Sequence, residues 1–584
     1  MINTRQRSVT ASAPAPVGGW NVRDSLAEME LNQAVILENW WPTTVDVQIR
    51  RGCANWATGL SGTTETVLTY NKTDGTRKRF AFTSAGDLYD VTSSGAVGAA
   101  LVTGLTNGRW QFVAFATPAG NFVLAVNGAD SMLRYNGTNW VAVTTGVGAA
   151  ISTLTGNGTT STVTTTTPHG LQTGNTVTVS GASVAGFNVG PVPITRTGAN
   201  TFTYLSTGTP SATGASYIVG EAITGIDTKS IININIFKAR VWLVQKTSLS
   251  AWYLPALAIQ GAATEFPMGS VFSMGGYLVA MGTWTVDAGQ GSDDLAVFFS
   301  SEGEILQYKG TDPASITTFA LVGLFRQGDP LGSRCQIKFG GDIYVITESG
   351  VVPLSKSVLT AQVTESAAIT NKILPAMSAA VVANNGFGWE MAVFPSVNML
   401  LINVPSSMGN FQFAMNTITG AFTLFTGWRA SCWCSDGLNL FFGMAGKVVQ
   451  AWVTDTDFGA PITAAALPAF NSFGADTQTK KVNLVRPILS SAGTPSFLIG
   501  INYDYDTETQ PTGVLNFTAP GTGMIWGSMS WGSMIWGGAL ATNRFWQFAS
   551  GIGYSASMYI IAQGNGAETR WAATDYVYER GGVL

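Results

Sequence analysis

The sequence predicts an all-β protein: a β-propeller of about seven blades, within a range of six to eight, that carries a small inserted β-domain and is followed by a C-terminal β-domain. The first observation behind this is a hairpin phrase that returns in one register, in FAFTSAGDLYDV from Phe80, VFFSSEGEILQY from Val297, YVITESGVVPLS from Tyr344 and LFFGMAGKVVQA from Leu440. Each joins two apolar runs through a small or polar turn with glycine at the seventh place, namely Gly86, Gly303, Gly350 and Gly446. Glycine enters positive φ without steric cost, as tight hairpin connections require. The second observation is spacing: Gly303 to Gly350 is 47 residues, and Gly350 to Gly446 is 96, about two units of that size. Weaker copies place Gly128 42 residues after Gly86 and Thr247 at the turn of VWLVQKTSLSAWYL. A β repeat of about 40 to 50 residues is the period of a propeller blade. The third is composition, with 68 glycines among many Thr, Ser, Val and Phe residues, which suits short strands and tight turns.

Taken in order, residues 1–60 read as an N-terminal arm. Its Ala/Pro opening precedes GGWNVRDSLAEMELNQAVILENWWP, in which Trp20, Trp40 and Trp41 mark a segment that docks on something. A first propeller part covers 61–147. The interval from Gly128 to Thr247 is 119 residues, so an insertion of roughly 70 residues is needed to restore the period. The Thr/Ser/Gly-rich stretch 148–218 supplies it, and alternation over 176–180 and 201–204 makes it a folded β-domain, not a linker. The propeller resumes over 219–458. Residues 459–584 form a C-terminal β-domain that contains WGSMSWGSMIWGG, with Trp526, Trp531 and Trp536 five apart. That odd interval sends successive tryptophans to opposite faces of a strand, so a loop or bulged hairpin is expected.

Charge narrows the function classes. Asp, Glu, Lys and Arg make up 11% of the chain, against about 25% in ordinary soluble domains, which leaves surface of the kind subunits bury in assemblies. The net charge of −4 argues against a protein that holds nucleic acid by neutralising phosphates. No apolar run is long enough to span a bilayer and the N-terminus lacks the apolar stretch of a signal peptide, so synthesis in the cytoplasm is expected. Four cysteines without framework or zinc spacing read as buried thiols.

Catalytic chemistry has few candidates. The sole histidine, His169, lies in a Thr-Pro-His-Gly turn of the insertion and reads as a turn residue. A glycosidase pair drawn from Asp293, Asp294, Glu302 and Glu304 is the minority reading, because the latter two flank a hairpin turn. Asp504, Asp506 and Glu508 alternate with Tyr503 and Tyr505, which puts three acids on one strand face, solvated or lining a channel. A Ca²⁺ site is the lesser alternative there, since the EF-hand spacing is missing. No catalytic, cofactor or metal site is assigned. Trp20, Arg23, Asp24, Trp40, Trp41, Trp526, Trp531 and Trp536 are the candidates for contact with neighbouring subunits or partners, with internal packing as the alternative for the last three.

GGWNVRDSLAEM, GSDDLAVFFSSEGEILQYKGTDP, FQFAMNTITGAFTLFTGW, ASCWCSDGLNLFFG and the terminal YERGGVL together resemble structural tail proteins of short-tailed bacteriophages, the podovirus nozzle or tail tubular protein B family. HGLQTGNTVTVSG and NTFTY in the insertion resemble a small β-module grafted into many phage and bacterial surface proteins. The resemblance implies a virion tail protein, assembled in the host cytoplasm as a homohexameric ring below an adaptor ring. It implies a channel that phage DNA traverses without specific binding, and contact with tail fibres, spikes or a needle and with the host surface. Two other readings stand beside it, a glycan-binding propeller adhesin and, behind that, a polysaccharide hydrolase.

Overall fold

In the computed structural model, residues 8–72, 74–287, 292–359, 367–493, 495–512, 515–516, 540–542 and 546–583 are described. Strands dominate them, and α-helix is confined to Leu354–Leu359 and Leu374–Ala383 among these residues. The chain divides into two compact units, one of residues 56–367 and 443–448, the other of residues 1–55, 368–442 and 449–584.

The first unit is the β-propeller. Its blades are successive antiparallel sheets, each built mainly from neighbouring strands in the sequence. The first contains Gly52–Asn71, whose residues from 56 onward belong here, with Arg77–Thr83 and Leu88–Asp90. The second runs Gln111–Thr117, Gly120–Val126, Met132–Tyr135 and Trp140–Val143, and the third Ile231–Phe237, Arg240–Gln245, Ser250–Tyr253 and Thr264–Pro267. The fourth runs Leu278–Asp287, Ser292–Ser300, Glu304–Gly310 and Phe319–Arg326, and the fifth Gln336–Phe339, Asp342–Thr347 and Gly350–Pro353. Alternation aims one face of each sheet at the next. Phe80 and Phe82 pack with Val123 and Leu133 between the first two blades, Leu124 with Leu243 between the next pair, and Trp242 with Phe298 between the third and fourth. Val297 and Phe299 meet Ile343 and Val345 between the fourth and fifth. Arg334, on the segment leading into the fifth blade, returns to the first: its guanidinium donates to Glu65 O at 3.0 Å, Thr66 Oγ1 at 2.5 Å and Trp110 O at 3.0 Å.

Five of the six hairpin phrases form hairpins, and their turn residues have the left-handed backbone their sequence implies, from Thr247 at φ 53° to Gly350 at φ 108°. At Gly86 a Cβ would stand 1.9 Å from Leu105 O, so close approach adds to the φ requirement. The sixth phrase departs from expectation, because Leu440–Thr454 is one long strand in which Gly446 keeps φ 70° without a turn.

Five such sheets lie among the described residues of this unit. The residues between Gly350 and Gly446, read as two further blades, supply the two helices and a sheet of Glu390–Phe394, Met399–Val404, Phe411–Asn416 and Phe422–Phe425 that belongs to the other unit. The boundary within 219–458 therefore falls at residue 368.

The insertion is a separate seven-stranded sheet between Ile151 and Val219, closed around Leu154, Val163, Phe187, Ile194, Phe202 and Tyr217. Its Thr and Ser residues alternate with these apolar ones, which is why so polar a segment still has a core.

In the second unit the expected N-terminal arm is a set of core strands. Val9–Pro14 pairs antiparallel with Thr569–Val583 from Val9↔Tyr578 to Pro14↔Ala573, and Val47–Ile49 joins the same strand at Val47↔Trp571. Gln33–Glu38 pairs with Thr463–Pro468 and continues, through Glu38↔Leu424, the sheet of Phe422–Phe425. These two sheets enclose a core containing Leu37, Trp40, Ala464, Val482, Met558, Trp571 and Tyr576. Residues 1–60 and 459–584 are thus not separate domains, and the two ends of the chain fold as one.

Candidate functional site

Of the tryptophans read as partner contacts, Trp20, Trp40 and Trp41 dock on their own chain. Trp40 is fully buried and packs on Trp571 at 5.7 Å between centroids, and Trp41 lies 5.9 Å from both Phe425 and Trp452. Trp20 is half-buried, donates Nε1–H to Val35 O at 2.9 Å and meets the ring of Phe413. The aromatic signal was real, but its partner lies more than 350 residues away in sequence for Trp41 and more than 500 for Trp40. Asp24 is paired with Lys372 at 2.5 Å, and that bond together with the Asn21 amide holds its carboxyl below the usual range. Of the described candidates, Arg23 is exposed and stays available to a partner. Trp526, Trp531 and Trp536 lie outside the described residues.

Around Arg50 the second unit builds a dense polar constellation. The guanidinium, 1% exposed, forks onto Asp457 at 2.6 and 3.1 Å, donates Nε–H to Asn39 Oδ1 at 2.8 Å and Nη2–H to Thr426 O at 2.5 Å. Trp428 lies under it at 4.5 Å and donates its own Nε1–H to Asp457 at 3.2 Å. A buried pair survives only when its remaining donors and lone pairs are satisfied, as here. Cys53 beside Asp457 has its thiol pushed up by burial and then by that carboxylate. Such a thiol is unreactive. All four cysteines are buried and none forms a disulfide.

The acids expected on one strand face are not on a strand. Ser496–Tyr503 ends before them, and Asp504 and Tyr505 take φ 51° and 66°. Asp504 accepts the Tyr554 and Ser555 amides at 2.6 and 3.1 Å, while the fully buried Lys480 donates to Tyr554 O at 2.5 Å and to Ala475 O. The two side chains clamp one backbone segment from both its donor and acceptor sides. Asp506 Oδ1 accepts from Glu508 N and Thr509 N, and those bonds lower its pKa, so it closes a turn. Glu508 is exposed. Asn, Asp and Gly-like behaviour at positive φ competes with strand alternation, and here the turn wins.

Of the carboxylates weighed as a hydrolytic pair, Glu304 is internal, Asp294 and Glu302 are half-buried, and the side chain of Asp293 lies outside the described residues. Glu304 is buried and accepts the Ser273 hydroxyl and the Ser273 and Met274 amides; burial pushes its pKa up, but these bonds outweigh it and the net shift is downward. Asp294 holds Lys238 at 3.2 Å and Thr285 at 3.0 Å. His169 accepts the Leu171 amide at Nδ1, and its Nε2 faces Gly198 O and Thr201 O at 3.2 and 3.3 Å, a neutral structural imidazole whose pKa is lowered chiefly by burial. Among the described residues no group of three or more His, Cys, Asp or Glu side chains is arranged to hold a metal ion, and no helix is long and apolar enough to cross a membrane.

What the sequence reading missed is an apolar edge. Phe319–Arg326, FALVGLFR, is the terminal strand of the fourth blade. Phe319 and Phe325 turn inward, but Leu321, Val322 and Leu324 are exposed, and Ile316 just before them is 91% exposed. The run of apolar residues was visible, whereas its position at a sheet edge was not. In the second unit Phe548, Ile552 and Tyr554 are exposed within ten residues.

No family model matches the chain, and no curated protein matches it. Among solved structures it is similar to BBS1N from a complex with ARL6DN, at 8% identity over 69% of this chain and 97% of that one, with a TM-score of 0.35. It is similar to the β-propeller domain of Cps50 (Swd1) from Myceliophteria thermophila, at 10% identity over 69% and 100% of the two chains, TM-score 0.26. The computationally designed Ika8 protein aligns at 9% identity over 68% and 99%, TM-score 0.33. Likeness at this level transfers no activity and no partner.

Proposed function

We propose that this protein is a structural, non-enzymatic subunit of a short-tailed phage tail nozzle, whose copies form a ring that extends the DNA exit channel below the adaptor. The observation that carries the reading is the edge strand Phe319–Arg326, with Leu321, Val322 and Leu324 exposed. An edge of this kind, apolar apart from the exposed Arg326 at its end, is a template for pairing, and a monomer would be expected to blunt it with further charge, proline or a covering segment. A neighbouring subunit would cover it. The resemblance of the sequence phrases to the podovirus nozzle family is what supplies the tail assignment and the number six. The low charge and net −4 suit a wall along which phosphates slide without being held. Glu304, Asp294 and His169 are spent on internal hydrogen bonds, which favours assembly over hydrolysis. Fibres, spikes or a needle, and the host surface, are the partners expected beyond the ring.

Electron microscopy of the purified protein, alone and mixed with tails lacking it, tests this. Rings with a hole of duplex width, or restoration of a missing distal tail segment, support it. Compact monomers that leave such tails unchanged overturn it.

A further inference from the structure

The insertion does not hang from the propeller but is bolted to it. Asn175 exchanges two hydrogen bonds with the backbone of Ala142, at 2.7 and 3.0 Å, and donates to Glu221 at 2.9 Å. The Glu221 carboxylate also takes the Thr176 amide and hydroxyl, at 2.9 and 3.0 Å. Arg196 reaches out of the insertion to Thr103 O at 2.9 Å. Between these bolts and the loops of the second and third blades lies an open cleft of about 330 Å³, with Ser131, Thr145, Asp227 and Lys229 on the blade side and Val147 and Tyr217 opposite.

The chemistry of this cleft is specific. Asp227 and Lys229 contribute one charge of each sign two residues apart, and Asp227 Oδ1 is fixed by the Lys229 amide at 3.0 Å. The hydroxyls of Ser131 and Thr145 add donor and acceptor capacity. The Tyr217 hydroxyl accepts the Ala149 amide at 3.0 Å, which leaves its proton to donate. Val147, exposed at the rim, gives an apolar strip. Balanced charge excludes a strongly ionic guest, several hydroxyl-bearing groups call for a guest rich in hydroxyls, and an apolar strip suits C–H groups on one face. The volume lies at the low end of small-molecule sites, which run from about 300 to 1,000 Å³. We infer that the cleft between the insertion and the propeller binds one neutral sugar unit of a glycan. This inference stands apart from the nozzle reading, because it needs one subunit only.

The test is saturation-transfer NMR and calorimetry of the full-length chain against glucose, galactose, mannose and N-acetylglucosamine, with glucuronate and glucosamine as charged comparators. Saturable binding of at least one neutral sugar is expected, weakened tenfold or more in Val147→Trp, which fills the cleft from an exposed position, and in Asp227→Ala. Asp506→Ala, far along the sequence in the other unit, should leave it unchanged. Absence of saturable binding by any neutral sugar overturns the inference, as does binding that survives both cleft variants or a preference for the charged sugars. Unchanged thermal unfolding of Val147→Trp separates loss of the site from loss of the fold. Ring formation scored on the same preparations tells failure here from failure of the nozzle reading.

Discussion

Arg50 and Asp457 form a bidentate ion pair at 2.6 and 3.1 Å, joining positions 407 residues apart in the chain. Asn39, Thr426 and Trp428 complete the site, so the pair ties three stretches of the second unit into one polar knot. Removing one partner leaves an uncompensated buried charge, which costs about 3–5 kcal/mol. Asp457→Asn and Arg50→Met are therefore each expected to lower the denaturant midpoint of this unit strongly. The double variant Arg50→Met/Asp457→Leu should recover part of the loss. If each single variant unfolds like the parent, the knot contributes nothing.

Trp40 gives a second measure of how the chain ends are held. It is fully buried against Trp571, and its Nε1–H has no hydrogen-bond partner. Trp40→Ala should cost about 3–5 kcal/mol from lost burial and the cavity left behind. Trp40→Phe should cost distinctly less, because it also removes the unpaired donor. Thermal unfolding of the two variants side by side checks the order. Equal losses would mean that the indole N–H is satisfied in solution.

These two sites mark the limit of what the sequence reveals. Gly86, Gly128, Gly303 and Gly350 announce hairpins because a local steric rule selects them. Thr160–Thr165 and Thr201–Leu205 announce an inserted sheet through period-two alternation. Trp40 announces docking but not its target, since pairing of Val9–Pro14 with Thr569–Val583 leaves no local trace. Asp504 and Asp506 mislead because alternation with tyrosines resembles a strand until two residues at positive φ end it. The edge position of Leu321 depends on which strand comes next in space, and that is likewise absent from a local pattern.

Glu304 predicts a pH dependence. Its pKa is lowered in the fold, so it binds a proton less readily there than in the unfolded chain. Its stabilisation is complete above the ordinary glutamate value of about 4.3 and is lost as pH falls through the lower folded value. Glu304→Gln should destabilise the propeller by about 1.5–3 kcal/mol at pH 7, the worth of hydrogen bonds to a charged group. The gap between parent and variant should close as pH drops below about 4. A gap that is constant with pH would assign the effect to shape and not to charge.

His169 offers a clean readout because it is the sole histidine. Burial lowers its pKa, and its Nδ1 accepts the Leu171 amide. The unfolded chain takes up a proton near pH 6.5 while the folded insertion still resists one, so stability declines as pH falls below about 6.5. Histidine-selective NMR should show one imidazole titrating below that value, in a predominantly Nε2–H tautomer. A midpoint at or above the unperturbed value would mean that the imidazole is solvated and the turn open.

The edge strand carries the prediction with the greatest bearing on function. Leu321 and Val322 are exposed, so replacing Leu321 with lysine removes no core contact and should shift stability by no more than about 0.5 kcal/mol. A single lysine on an edge opposes strand-to-strand association, since pairing would bury its charge beside an apolar partner. Leu321→Lys should therefore leave the melting temperature unchanged while sedimentation velocity shows assemblies replaced by monomers. Ile418→Lys, another exposed apolar position but in the second unit, should leave assembly intact and so separates an edge effect from a general effect of added charge. Assemblies that persist in Leu321→Lys would show that the subunits meet elsewhere. The exposed run Phe548, Ile552 and Tyr554 would then be the next surface to charge.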